Sequence, residues 1–331
     1  MRRRQFITLI GGAAAWPLAA RAQQPDRVRR IGVLMAYDED DPEAKARLSA
    51  FTQGLAQLGW TDGHNARMEV RWAAARNIDR MRTFAKELVD LQPDVILAHT
   101  TPVTAALQQD TRTIPIVFVI VSDPIGSGFV ADLARPGGNI TGFMLIEGSM
   151  VGKWLELLTE IAPGLNRAAI MFNPDTAPYV KTYFLPSFEA AVRSFNVAAI
   201  ATPVHSDAEI EMVIDSLARE PGGGLIVMPD SFLVVHRAPI ILRAAQNKVP
   251  VVYDVSTYAR DGGLLSYGVE QVDIFRQAAP YVDRILRGAK PADLPVQLPV
   301  KFEMTLNANT AKSLGLTVPP SILLRADQVI E

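Results

Sequence analysis

The residues best suited to chemistry in this chain are hydroxyl, carboxylate and phenol side chains that follow short apolar runs. Threonine and serine hydroxyls can donate to a carboxylate, aspartate can hold an ammonium group, and tyrosine rings can stack on an aromatic or apolar body. This combination predicts a binding site for a small polar ligand. The candidate ligand-binding residues are Tyr37, Thr100, Thr101, Ser122, Asp123, Asp230, Tyr253, Asp254 and Tyr267.

Each candidate also has a purely structural interpretation. Thr100 or Thr101 can cap the helix that is predicted to begin there. Asp230 and Asp254 can likewise cap the helices that follow them. Asp123 precedes a proline, where an aspartate commonly stabilises a turn. Any one of the tyrosines can simply be buried at the end of its strand, so these alternatives stay open.

Signals for an enzyme are weak. Residues 126–131 (GSGFVA) match the dinucleotide pattern G-x-G-x-x-A, are expected to open a helix, and have Glu147 near the spacing of a ribose-binding acid. The match follows the fourth strand of its series, whereas a nucleotide fold normally uses its first. The chain has no cysteine and no G-x-S-x-G motif, and its four histidines lack metal-ligand spacing. We therefore expect no catalysis, no cofactor and no metal.

Short apolar runs alternate with amphipathic stretches along the chain. This alternation predicts strands joined by crossover helices, and therefore parallel sheets whose ligand-binding loops lie at the strand carboxyl ends. A turn cluster at residues 134–139 separates two such series. The predicted fold is α/β, with two doubly wound parallel-sheet lobes joined by a multi-segment hinge. The predicted limits are residues 28–143 plus 268–292 for lobe 1 and residues 144–267 plus 293–331 for lobe 2.

A basic head and a short apolar run occupy the start of the chain. Residues 2–7 (RRRQFI) carry paired arginines followed by phenylalanine, and residues 8–20 are apolar but too short to span a bilayer. Ala20 and Ala22 offer small residues for cleavage. We interpret residues 1–22 as a twin-arginine signal peptide cleaved near Ala22. The alternatives are the general secretory route, an amphipathic helix and a membrane anchor.

Charge and cysteine content restrict the class of protein further. The leader holds four arginines and no acidic residue, so its removal takes the formal net charge from −2 to about −6. A mildly acidic chain is a poor nucleic-acid binder, and a chain without cysteine has neither disulfides nor a lipid-modified N-terminal cysteine. A free, monomeric protein of the periplasm that binds a small molecule fits these constraints.

Several segments resemble the substrate-binding proteins of ABC transporters, in the family related to tryptophan- and tyrosine-binding components. Beside the leader, they are IGVLMA (31–36), GLAQLGWTDGHNARMEVRWA (54–73), VSDPIGSGFVADLARPGGNITGF (121–143), KWLELLTEIAPGLNRAAIMFNP (153–174) and LNANTAKSLGLTVPPSILLRADQVIE (306–331). The resemblance implies a periplasmic binding protein type I fold in which a ligand is enclosed between two lobes. It also implies ligand contacts from Thr100, Thr101, Ser122 and Asp123 in lobe 1 and among Asp230 and Asp254 in lobe 2.

The same resemblance implies a function. An exported protein of this family would capture a small carboxylate-bearing solute, such as an amino acid or an aromatic acid, and deliver it to an ABC permease in the inner membrane. An exported ligand sensor of the same fold and an exported α/β enzyme are the alternatives.

Overall fold

Two separate sheets, one in each lobe, form the framework of the protein. The computed structural model describes residues 27–74 and 77–331, so the predicted signal peptide lies outside the described residues. Neighbouring strands run parallel in both sheets, with one exception in lobe 2. No helix in these two ranges is long and apolar enough to cross a bilayer.

Lobe 1 is built on a five-stranded sheet with the order β2-β1-β3-β4-β5. Its strands are apolar runs because both faces of the sheet are covered, and β4 is buried along its whole length. The strands are β1 (Arg29–Met35), β2 (Ala66–Trp72), β3 (Val95–His99), β4 (Ile116–Val121) and β5 (Ile140–Met144). The helices that join them are α1 (Pro42–Gln57), α2 (Ile78–Asp90) and α3 (Thr101–Asp110).

Lobe 2 is built on a seven-stranded sheet with the order β12-β11-β10-β9-β8-β6-β7. Its strands are β6 (Arg167–Phe172), β7 (Ala198–Pro203), β8 (Gly223–Val227), β9 (Val251–Tyr253), β10 (Leu265–Val269), β11 (Phe302–Asn307) and β12 (Gln328–Ile330). Its helices are α4 (Met150–Ile161), α5 (Leu185–Phe195), α6 (Asp207–Ala218), α7 (Ser231–Val235), α8 (Arg237–Gln246) and α9 (Ser256–Arg260). A π-helical turn (Val180–Phe184) leads into α5. The tail strand β11 runs antiparallel to β10.

Three further helices complete the chain: α10 (Gln271–Leu286), α11 (Ala308–Leu314) and α12 (Pro320–Arg325). Helix α10 follows the lobe 2 sheet in sequence but packs on α1 of lobe 1. The two helices approach so closely at Gly54 that an added Cβ would lie 2.8 Å from the Cβ of Ala279. A glycine at this contact therefore allows α10 to return to the first lobe.

Polar caps fix where several helices begin. The side chain of Asp41 accepts a hydrogen bond from the backbone N–H of Ala44 (3.0 Å), at the start of α1. Asn77 does the same for α2, and Ser206 does so for α6. These side chains satisfy helix N–H groups that have no intrahelical partner.

Within the described ranges the chain passes between the lobes after Met144, between Val269 and Gln271, and between Gln297 and Phe302. Residues 294–297 stay with lobe 1, because Gln297 exchanges backbone hydrogen bonds with Gly142 and Met144 (both 2.9 Å). Residues 268–269 belong to β10 of lobe 2. The exchange points therefore lie a few residues away from the limits that the sequence predicts.

The predicted helix at residues 126–133 is wrong. Residues 124–134 form consecutive turns, because the Asp123 carboxylate accepts from the N–H of Gly126 (2.8 Å) and Gly128 has a φ of +71°. A left-handed glycine is unfavourable for a helix at this point. The dinucleotide pattern therefore lacks the helix N-terminus that would bind a pyrophosphate.

Gly268 gives the first testable prediction, because a Cβ there would lie 1.6 Å from the carbonyl oxygen of Asp254. Gly268→Ala forces the backbone of β10 or of Asp254 to move, and should lower the free energy of unfolding by about 1–3 kcal/mol in urea denaturation. Gly164→Ala is the control, since nothing lies within 4 Å of its added Cβ. Its effect should stay within about 0.5 kcal/mol. Equal stabilities of the two variants would disprove the close approach.

Candidate functional site

The carboxyl edges of the two sheets face each other across a cleft. The loops after β1 and β3, Ile120 of β4 and Leu145 after β5 form the lobe 1 wall, and loops after β6, β8 and β9 form the lobe 2 wall. The cleft holds about 390 Å³, including its opening to solvent.

Thr100 and Thr101 bring two hydroxyl groups to the lobe 1 wall at the start of α3. Thr100 is the N-cap residue, but its side chain makes no capping hydrogen bond, and neither threonine Oγ1 has a partner. Its φ of +82° is strained for a threonine. Two hydrogen bonds hold the backbone of Thr100 in this conformation. Its N–H donates to the carbonyl of Val119 (2.9 Å), and its carbonyl accepts from the hydroxyl of Thr104 (2.8 Å). The hydroxyls are therefore left for a ligand.

Ser122 does not line the cleft, but its buried hydroxyl lies behind that wall, next to Tyr179. The Tyr179 hydroxyl of lobe 2, which donates to the Pro229 carbonyl (2.7 Å), lies beside the hydroxyls of Thr101 and Ser122. Burial raises the pKa of Tyr179, and the nearby Asp230 raises it further. Tyr179 therefore stays protonated where the two walls meet.

Asp230 organises the lobe 2 wall. Its carboxylate accepts from the backbone N–H groups of Asn173 (2.5 Å) and Phe232 (2.9 Å) and from the Thr176 hydroxyl, and it caps α7. Burial raises its pKa to about 6, while these hydrogen bonds oppose the rise. Both carboxylate oxygens of Asp230 already accept hydrogen bonds from the chain. The main role of Asp230 is therefore to hold the loop after β6 against the start of α7.

Asp254 differs from Asp230, because its Oδ1 has no partner although the side chain is buried. It lies one residue before Val255, the N-cap of α9, and it lines the cleft. Burial raises its pKa to about 7, with a smaller contribution from Asp230 and an opposing one from Arg47. A buried carboxylate with an open oxygen suits a ligand cation.

An aromatic stack lines the lobe 1 side of the cleft. Tyr37 stacks on His99 with ring centroids 5.1 Å apart. The His99 Nδ1 accepts from the N–H of Ala36 (3.2 Å), which leaves the proton on Nε2, and Nε2 has no partner. Burial lowers the pKa of His99 well below its usual value. His99 is therefore a neutral hydrogen-bond donor in the cleft and not the cation that its position could suggest.

Four predicted site residues lie outside the cleft lining: Ser122, Asp123, Tyr253 and Tyr267. The Tyr253 ring is buried within lobe 2, where it stacks on Tyr258 at 4.4 Å. Tyr267 stacks on Phe302 at 5.8 Å. Asp123 caps a turn and is half-buried. Successive strand side chains point to opposite faces, so the end of a strand does not bring every side chain to the ligand loops.

Sequence reasoning missed several residues at or beside the cleft. Tyr179 and Thr176 follow β6 in a stretch predicted only as a loop and helix, and Gln271 begins α10 in the hinge. Arg47 is buried in the middle of α1, next to Tyr37. The sequence does indicate that Arg47 is buried, because it lies at helical spacing from Ala44 and Phe51 on the apolar face of α1.

Unpartnered buried polar atoms converge on the cleft and its surroundings. They belong to Arg47, His99, Thr100, Thr101, Ser122, Ser231, Asp254 and Tyr258. A buried polar group without a partner costs about 1–3 kcal/mol, so the protein retains these groups at the expense of stability. The arrangement fits a polar ligand that supplies the missing partners. Among the described residues, no group of three His, Cys, Asp or Glu side chains could hold a metal ion.

Two ion pairs join the lobes at the rim of the cleft. Arg260 of α9 donates to Glu43 of α1 (3.0 Å), and Arg237 of α8 lies 4.0 Å from Asp41 at the start of α1. Both pairs are partly exposed, so each contributes little stability alone. Both pairs connect the lobes on the side of the cleft where Tyr37 lies.

The two facing sheets, the crossing segments and the enclosed polar cleft define a two-lobed solute-binding protein of the periplasmic type I class. The chain belongs to the family described as ABC transporter substrate binding protein, whose model matches residues 31–330. Because this is a family of substrate-binding proteins, the protein is not an enzyme. Such proteins are typically extracellular or periplasmic.

Curated and solved relatives agree with this assignment. The chain is 24% identical over 289 residues to a tyrosine-binding protein of Clostridioides difficile, covering 87% of this chain and 81% of the relative. A conserved domain protein of Vibrio cholerae superposes with a TM-score of 0.84 at 27% identity, over 92% of this chain and 100% of that one. A Streptococcus pneumoniae ABC domain in complex with L-Trp superposes with a TM-score of 0.83 at 24% identity. The match covers 91% of this chain and 99% of that one. The prediction of an α/β fold with two parallel-sheet lobes is confirmed.

The raised pKa of Asp254 predicts a pH-dependent stability. Between its ordinary value and about 7 the native state holds a proton that the unfolded state releases, so stability falls as pH rises through this window. Asp254→Asn should raise the melting temperature of the ligand-free protein, by an amount that grows from pH 4 to pH 7 and then levels off. Thermal denaturation in a pH series measures it.

Asp230→Asn is the matched control. It replaces an oxygen that accepts hydrogen bonds by an NH₂ group, so it should lower the melting temperature at every pH. If Asp254→Asn is no more stable than the wild type at pH 8, the Asp254 carboxylate is not an unpaired buried charge.

Proposed function

We propose that this ABC transporter substrate-binding protein captures a small carboxylate-bearing solute, an amino acid or an aromatic acid, and delivers it to a permease of the inner membrane. The observation that carries the proposal is the opposition of unpartnered hydroxyls in lobe 1 and an unpartnered carboxylate in lobe 2. An α-amino acid has complementary groups for both. The tyrosine-binding relative and the L-Trp complex of a structural relative support this ligand class.

The carboxylate of the solute binds at the start of α3. Thr100 and Thr101 supply hydroxyl donors there, and the helix N-terminus adds free backbone N–H groups and a partial positive charge. Ser122 supplies a third hydroxyl from the neighbouring loop. Neutral His99 can donate from Nε2. Lobe 1 therefore recognises the acidic end of the solute without a formal cation in its loops.

Asp254 holds the ammonium group of an amino acid from the opposite wall. Its ionised form is unfavourable in the empty, buried site, and a ligand cation removes that penalty. The apolar or aromatic body of the solute lies between Tyr37 and Tyr179, with Leu145 and Val234 beside it. This division of roles leaves Asp230 to shape the loop.

Closure of the lobes follows from these contacts. A solute that touches both walls stabilises the closed form over the open form by the difference in its affinity for the two states. The crossing segments after Met144, near Gln271 and after Gln297 are the points where the chain can bend. The Arg260–Glu43 pair forms only when α9 of lobe 2 and α1 of lobe 1 are close, so it adds to the closed state.

The leader places this activity in the periplasm. Residues 1–22 direct export by the twin-arginine route, and cleavage near Ala22 releases a monomer that is not anchored by a lipid.

A matched pair of ligands tests the roles within the cleft. L-phenylalanine and 3-phenylpropionate differ only in the ammonium group, and a ligand at about 100 times its Kd adds about 2.7 kcal/mol to stability. The thermal shift with L-phenylalanine, or with whichever amino acid of a panel binds, should be lost in Asp254→Asn. The amine-free acid should give the same shift in both proteins.

Asp123→Asn controls for a general loss of charge, since Asp123 lies outside the cleft lining and asparagine preserves its turn. It should bind like the wild type. An unchanged shift in Asp254→Asn would remove Asp254 from the site. If no amino acid and no aromatic acid in the panel shifts the melting temperature, the proposed ligand class is wrong.

Export gives a separate prediction. In a Gram-negative host with a twin-arginine system, the protein should be recovered from the periplasm with a new N-terminus near Ala22. Replacing Arg3 and Arg4 by lysine should leave the uncleaved precursor in the cytoplasm, because the twin-arginine route requires the pair. N-terminal sequencing of each fraction measures both. Normal export of the lysine variant would assign the leader to the general secretory route.

A further inference from the structure

A second cavity adjoins the cleft on the far side of Tyr37. It holds about 440 Å³, including its opening to solvent, and Gln271 lines both spaces. Its walls come from α1 of lobe 1, the start of α9 of lobe 2 and the hinge between β10 and α10. Besides Gln271, the polar residues of this second cavity are Glu43, Arg47, Ser256, Arg260, Glu270 and Glu303.

Arg47 is the unusual member of this set. Its side chain is 2% exposed, yet its Nε and Nη1 have no hydrogen-bond partner. The guanidinium lies 5.1 Å from the centre of the Tyr37 ring, and its Nη2 lies 3.9 Å from a Glu43 oxygen. A buried guanidinium normally uses its donors, because an unpaired one costs more free energy than a neutral group.

The other charged groups of the second cavity already have partners. Arg260 donates to Glu43 (3.0 Å) and to the Ser256 hydroxyl (2.9 Å). Glu270 accepts from Lys301, and Glu303 interacts electrostatically with the same lysine. Of the two cations that line this space in the described part of the chain, Arg47 is therefore the one whose unpartnered donors are buried.

We propose that the second cavity is a distal subsite of the cleft, in which Arg47 binds a second anionic group at the far end of the solute. The inference rests on the proposed function, because the amino-acid end of the same solute binds between Asp254 and the hydroxyls of lobe 1. The solute passes Gln271, which lines both spaces, and Tyr37, which lines the cleft and lies against Arg47. The substrate class is an amino acid with an acidic distal group.

Isothermal titration calorimetry with neutral isosteres tests this subsite. One pair is 4-carboxy-L-phenylalanine and 4-carbamoyl-L-phenylalanine, and a shorter pair is L-glutamate and L-glutamine. In at least one pair the acid should bind the wild type about tenfold or more tightly than the amide, because hydrogen bonds between charged groups are the stronger ones. Arg47→Met and Arg47→Gln should bring the two affinities of that pair together.

Arg237→Met is the matched control, since Arg237 also faces lobe 1 but lies outside the second cavity. It should keep the preference for the acid. Two substitutions of Arg47 are used so that a folding defect in one does not decide the result. Their ligand-free melting temperatures report the structural role: a fall in melting temperature with an unchanged preference would make Arg47 a packing partner of Tyr37 only.

The outcomes separate the inference from the proposed function. Equal affinities of acid and amide in both pairs, a preference for the amides, or binding of L-phenylalanine but of no distally acidic ligand would each overturn the distal subsite and leave the proposed function intact. If no amino acid and no aromatic acid binds at all, the proposed ligand class fails and the subsite fails with it.

Discussion

The cleft depends on polar side chains that are buried between two lobes without partners in either. Parallel strands require crossover helices, so the carboxyl edge of each sheet collects loop ends and helix N-termini. The two edges face each other here, which removes hydroxyls, a carboxylate and a guanidinium from water together. Neither core can satisfy them, because both are apolar up to the strand ends. A polar solute is the natural remaining partner.

Most of the framework could be predicted from the sequence, because buried parallel strands are unmistakable apolar runs. β4 is an example, with six consecutive buried apolar residues. The failures occurred where tertiary contacts override a local pattern. Residues 126–133 resemble a helix start but are held in turns by Asp123, and β12 is an exposed three-residue strand that pairs only because β11 lies beside it. The Asp-Pro sequence at residues 123–124 is a local signal for the turn, whereas the pairing of β12 has no signature in local spacing.

The candidate site was predicted at the level of loops, and less well at the level of side chains. Thr100, Thr101 and Asp254 line the cleft because they follow strands at the ligand edge. Tyr253 ends β9 but lies in the lobe 2 interior, and Tyr267 is a half-buried residue in the middle of β10. The pleat alternates side chains between faces, and sequence alone does not give the phase. Arg47 lies within α1, and Tyr179 lies several residues beyond the end of β6. A prediction from the residues that directly follow strands therefore does not include them.

Asp230 and Asp254 show how small a sequence difference separates a helix-capping carboxylate from one with an open oxygen. Asp230 directly precedes α7 and is its N-cap, so its oxygens turn back to the helix N–H groups. Asp254 lies one residue further from α9, whose N-cap is Val255. A side chain at that earlier position has no helix N–H within reach, so its oxygen stays open toward the cleft. The burial that raises the pKa of both carboxyls is opposed by several hydrogen bonds at Asp230 but only by its own backbone N–H and by Arg47 at Asp254. Asp254 therefore has more to gain from a ligand cation.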